Sequence, residues 1–192
     1  MHKNKLSSVT SIKREFLFSN DSRVMHSLLN EITSFVKIHL PSEVFETKII
    51  NCKQAVIELL TNAVKHSDTN SSSITVIIKD HHIELIKSDK GRPFFLEHYT
   101  GWPPISWPLS KKYIGERIRI YSDDFSSLQA IIQNESRIVF ELEEFPVVNL
   151  NAESNLIEHY GLLILTKVSD QFFYVHDSES HTNLFHLIIN LD

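Results

Sequence analysis

The sequence predicts an α+β fold, a two-layer α/β sandwich with helices on one face of a mixed β-sheet and an inserted β-rich segment. Three observations lead there. Strand-like and helix-like runs follow one another as β-α-α-β-β, an insertion, then α-β-β. Val24, Leu28, Leu29, Ile32, Phe35 and Val36 recur at helical spacing. ITVIIKD and HHIELIKSD are short β-branched runs joined by a tight connection at His81-His82.

Each element has its own signal. KREFLFS (13–19) reads as the first strand, and Ser19, Asn20 or Asp21 can cap the helix that follows. That helix runs to residue 40, where Pro41 stops the pattern. A second helix extends from Glu43 or Thr47 to His66, and SDTNSSS is the polar turn into the hairpin. After Gly91 the segment HYTGWPPISWPLS is too rich in proline for regular helix. YIGERIRIYSDD and SRIVFELEE read as strands flanking a short helix, SSLQAII. Helical spacing returns from Ala152 to Asp170 through Leu156, Ile157, Tyr160, Ile164 and Val168, and QFFYVHDS and TNLFHLIINL close the chain as a hairpin. Residues 1–192 thus read as one domain, with 92–155 inserted. Trp102 and Trp107, each beside a proline, suit either a partner surface or the core.

Composition narrows the function. At 42% apolar and 22% charged residues the chain can bury a real core. A net charge of −5 argues against gripping nucleic acid through phosphates, and Lys111, Lys112, Arg117 and Arg119 are too small a cluster to reverse that. A single cysteine, Cys52, excludes an internal disulfide framework and points to a reducing, cytoplasmic compartment. No signal peptide stands in MHKNKLSSVTSIKREFLF, and no apolar run approaches the roughly 20 residues that span a bilayer. Eleven histidines form neither HxxxH nor HExxH, so a histidine metal centre is not expected.

ELLTNAVKH (58–66) is the first candidate site. At 100° per residue Glu58, Asn62, Lys65 and His66 share a sector of about 100°, while Cys52, Val56, Leu59, Leu60 and Ala63 take the opposite face. A solvated polar face would explain the charges. It would not explain Asn62, a weak helix former, which as a neutral oxygen donor can join Mg²⁺ together with phosphate oxygens. Asp89 and Gly91, in SDKG after a strand, fit a plain β-turn, or a carboxylate that accepts from an exocyclic amine beside a glycine that admits a flat base. Gly161, in HYGLLILTKVSD, opens an apolar helix, and helix amides after a glycine suit phosphate.

In order and spacing these pieces resemble the histidine-kinase-like (GHKL, or Bergerat-fold) ATPase domain, and within it the anti-sigma-factor serine kinases. ELLTNAVKH is similar to E-A-x-x-N-A-x-x-H, SDKG to the adenine-site D-x-G-x-G, and YGLLILTKVSD to the helix after the lid; the resemblance covers residues 13–91 and 155–191. It implies ATP and Mg²⁺ as cofactors, with Glu58 as general base, Asn62 on the metal, Asp89 on the adenine amine, Gly91 admitting the ring and Thr182 supporting it. Lys65 and His66 would meet phosphate charge, and Gly161 would stand at the phosphate end. The implied function is an ATP-binding regulatory protein that phosphorylates a protein partner on serine. The alternative is a non-catalytic protein-interaction module. The implied partner is a regulatory protein, sigma-factor-like or anti-anti-sigma-like, with a homodimer left open. Pro93 replaces a motif glycine, His159 replaces the first lid glycine, and the 92–155 insertion stands where the lid would be.

Overall fold

The computed structural model describes residues 11–40, 46–95, 107–123, 125–145 and 160–192. Eight strands form one sheet: β1 (Ile12–Phe18), β2 (Ser72–Lys79), β3 (His82–Asp89), β4 (Arg117–Ser122), β5 (Ser126–Asn134), β6 (Arg137–Glu144), β7 (Gln171–Asp177) and β8 (Thr182–Asn190). Their order is β1-β2-β3-β8-β7-β6-β5-β4. Three helices accompany them, α1 (Ser22–His39), α2 (Glu46–His66) and α3 (Tyr160–Lys167).

Two expectations are corrected here. The sheet is not mixed, because all seven strand pairings are antiparallel. Among the described residues 41% lie in strands and 33% in helices, so the fold is dominated by its sheet and is not the predicted two-layer α/β sandwich. The connection between β1 and β2 shows the reason. Two helices, running back and then forward, return the chain to the end where it left β1, whereas a single crossover helix would make the strands parallel. The second correction is SSLQAII, which is strand β5 and not a short helix. Leu128, Ala130 and Ile132 alternate into the core, a period of two that a short apolar run does not separate from helix.

Local chemistry accounts for the rest. Asp21 caps α1 by accepting from the Arg23 amide at 2.9 Å. Phe16, Ile74, Leu85, Leu187, Phe172 and Ile138 lie on one face of the sheet, in one core with Ile32 and Val36 of α1, Val56 and Leu60 of α2, and Leu165 of α3. Cys52, Leu59 and Ala63 join that core, the face of α2 opposite Glu58, Asn62, Lys65 and His66. The predicted helix from Ala152 is described from Tyr160 onward, and 152–159 lie outside the described residues, as does Trp102. Trp107 packs on Tyr174 with ring centroids 4.9 Å apart, and its indole donates to the Phe94 carbonyl at 2.6 Å.

Candidate functional site

Helix α2 presents its polar face towards the end of the sheet where β3 gives way to the turn 89–92. The chain doubles back tightly there. A side chain at Gly91 would place a Cβ 1.4 Å from the Ser67 carbonyl oxygen, so only glycine lets the turn meet the end of α2. The space beside Gly91 that the resemblance assigns to a flat ring is occupied on this side by Ser67. Helix α3 begins over the same region. A Cβ on Gly161 would lie 3.1 Å from Glu58 Oε2 and 3.4 Å from Asn62 Oδ1, so this glycine brings α3 down onto both side chains.

Between these elements lies a cavity of about 460 Å³. Asn62, Lys65, His66 and Ser67 line it from α2 and its end, Lys87 and Asp89 from β3, Gly161 and Leu162 from α3, and Asn183 and Phe185 from β8. Arg92, Pro93, Phe94 and Phe95 complete the wall. Five residues singled out from sequence thus converge: Asn62, Lys65, His66, Asp89 and Gly161. Glu58 is not among the lining residues, although it and Asn62 both lie against Gly161. Thr182 is not among the lining residues; its hydroxyl accepts from Ser180 Oγ at 2.9 Å in the β7–β8 turn.

Sequence reasoning missed Lys87 and Asn183. Lys87 is 2% exposed and donates to Asp89 Oδ2. Asp89 Oδ1 accepts from the Gly91 amide at 2.8 Å and from Asn183 Nδ2 at 2.9 Å, and the same Nδ2 donates to the Gly91 carbonyl at 2.9 Å. The other end of the Asn183 amide, Oδ1, accepts from the Tyr174 hydroxyl at 2.6 Å and faces His176 Nδ1 at 2.9 Å. With Asn183 oriented this way, the His176 proton resides on Nδ1. The Tyr174 hydroxyl in turn accepts from the Phe94 amide at 3.0 Å, tying the cavity wall to β7. Strand parity is the signal that would have found both residues. Lys87 shares its face with Ile83 and Leu85, and Asn183 shares its face with Leu187 and Ile189.

The electrostatics divide the site. Burial raises the Glu58 carboxyl above its ordinary value, against the pull of Lys65. Burial lowers His66, and the positive charges of Lys65 and Lys87 lower it further, so its neutral form is favoured. Arg92 forms an ion pair with Asp68 at 3.6 Å. Cys52 is buried and its thiol is pushed up to about 12, which removes it from nucleophilic chemistry. Among the described residues no group of three or more His, Cys, Asp or Glu converges as a metal site, and no helix is long and apolar enough to cross a membrane. No family model matches this sequence, and no curated protein matches it either.

Proposed function

We propose that the chain is a nucleotide-binding regulatory protein, similar in its site to the anti-sigma-factor serine kinases. One observation carries the reading. Residues from four distant stretches of sequence close one cavity of about 460 Å³, with polar groups from α2 and β3 and aromatic walls from Phe94, Phe95 and Phe185. Asp89 would accept from the base amine, and Lys65 would meet phosphate charge. Mg²⁺ fits the donor set modestly: the Asn62 amide oxygen would hold it, nucleotide phosphates would supply its other oxygens, and it would neutralise their charge. Glu58, raised by burial, is the better proton acceptor for that change and would serve as the base for a partner's serine hydroxyl.

A second reading, a non-catalytic interaction module, is favoured by the three donors already on Asp89 and by Pro93 in the cavity wall. Calorimetry of the full chain with ATP and ADP, with and without Mg²⁺, separates the two. Binding of both nucleotides is expected, with Asn62→Ala abolishing the Mg²⁺ dependence and Glu58→Gln leaving affinity intact while ending any transfer of label to serine. Absence of binding by either nucleotide would leave the interaction module standing.

A further inference from the structure

The sheet has a second face, turned away from the helices and the cavity, and strand register fixes what lies there. Thr75, Ile86, His186, Phe173, Val139 and Ile131 are successive cross-strand neighbours on β2, β3, β8, β7, β6 and β5, and none belongs to the core that the helices cover. The next row on one side is Ser88, Leu184, Val175 and Arg137. On the other side stand Glu84, Ile188 and Gln171, with Glu141 two residues beyond Val139 on β6. The centre of the face is largely aliphatic, and burial favours the neutral form of His186. Phe173 is 8% exposed, covered by the His186 ring, with centroids 4.6 Å apart, and by the Arg137 guanidinium, 3.7 Å from its own centroid. Arg137 Nε is buried with no hydrogen-bond partner, and among the described residues the guanidinium meets no carboxylate. Glu141, on the same face of β6, is four residues away, about 13 Å along the strand, and pairs with Arg117 at 3.2 Å.

We propose that this face is where two copies of the chain meet, related by a two-fold axis that runs along the row from Thr75 to Ile131. The face is complementary to itself under that rotation, which lays each residue of the row on its own copy and exchanges the rows on either side. Leu184 then meets the partner's Ile188, Ser88 meets the partner's Glu84, and Arg137 meets the partner's Glu141. The last contact is made twice, once on each side of the axis, and gives Arg137 the carboxylate it lacks within one chain. Sheets packed face to face stand about 10 Å apart with their strands within about 30° of alignment, a gap that an arginine and a glutamate close between them. An axis running along the strands, between β7 and β8, would instead set Glu84 against the partner's Glu141, carboxylate on carboxylate. The contact does not depend on the nucleotide reading, because the cavity lies on the helix side of the sheet.

Sedimentation velocity of the full chain over a range of concentrations tests it, and wild type is expected to dimerise. Arg137→Glu sets glutamate against glutamate at both contacts, and Glu141→Arg sets arginine against arginine. Each is expected to raise the dimer dissociation constant at least about a hundredfold, while circular dichroism confirms the fold. An equimolar mixture of the two variants is the decisive sample, because in the mixed dimer both contacts again join opposite charges. It is expected to dimerise within about tenfold of wild type. Glu141 is exposed, so Glu141→Arg keeps the test standing should Arg137→Glu fail to fold. A wild-type chain that is monomeric at every concentration would overturn the inference, whether another protein covers the face or none does. Variants that dimerise as well as wild type would place the contact elsewhere, and a mixture that stays monomeric would refute the two-fold register. Each of these results leaves the nucleotide reading in place.

Discussion

Strand β3 bonds a carboxylate to a lysine on each of its two faces, and the pairs differ in everything except their chemistry. On the outer face Glu84 meets Lys79, with His82 and His186 each 3.1 Å away, and the Lys79 side chain is 34% exposed. On the cavity face the Lys87 and Asp89 side chains are 3% and 2% exposed. The outer pair is open on the lysine side only, for the Glu84 side chain is 11% exposed and shares its carboxylate among Lys79, His82 and His186. The inner pair has given up water and depends on each partner being present, which is why Asn183 and the Gly91 amide complete the coordination of Asp89. A buried pair that depends on such support has a definite orientation, which a ligand site needs.

The largest expected effect comes from breaking the inner pair on one side. Asp89→Ala leaves Lys87 buried and unpaired and is expected to cost about 3–5 kcal/mol in urea denaturation. Removing both charges, as Lys87→Met with Asp89→Asn, is expected to recover most of that loss, since the asparagine oxygen still accepts from Gly91 and Asn183. A double variant as unstable as Asp89→Ala would mean that the charge is not the source. Next comes Asn183→Ala, which strands the Tyr174 hydroxyl and the Gly91 carbonyl. It is expected to cost about 2–3 kcal/mol by the same measurement.

The smallest effect belongs to the outer face. Glu84→Gln keeps the side-chain volume and leaves a partly exposed Lys79 to turn to solvent, so it is expected to cost about 1–2 kcal/mol at neutral pH. Its signature is in acid. Burial pushes the Glu84 carboxyl up, but hydrogen bonds from Lys79 and His82 outweigh this and leave it below its ordinary value. A lowered carboxyl stabilises the fold above the unfolded range and loses that stabilisation as pH falls through its folded value. Thermal melts of wild type should therefore weaken on acidification more steeply than those of Glu84→Gln. Parallel acid limbs would show that the pair contributes nothing.

The two faces also mark what the sequence made legible. Helix α2 was readable because a 3.6-residue period leaves Cys52, Val56, Leu59 and Ala63 on one side and Glu58, Asn62 and Lys65 on the other. The strands β1 to β3 and the closing hairpin were readable from alternation and turn residues. Lys87 and Asn183 were missed because a lone polar residue in a strand passes for a solvent-facing one unless its parity is checked against its neighbours. The direction of the pairings was out of reach, since sequence periodicity says nothing about which strands meet. Gly91 was legible as a turn residue in SDKG and Gly161 as the opening of an apolar helix, yet what each makes room for, the Ser67 carbonyl and the Glu58–Asn62 pair, belongs to tertiary structure.

The placement of β7 and β8 has a consequence for how the molecule is assembled in time. The hairpin stands between β3 and β6, and no strand of β1–β3 pairs with a strand of β4–β6. The pieces β1–β3 and β4–β6 therefore cannot join into one sheet until residues 171–190 are in place. Asp89 meets Asn183 across 94 residues of sequence, so the donor side of the cavity is among the last parts to form. Such long-range closure slows folding. Until it happens, the edges of β3 and β6 are exposed to pairing with other chains.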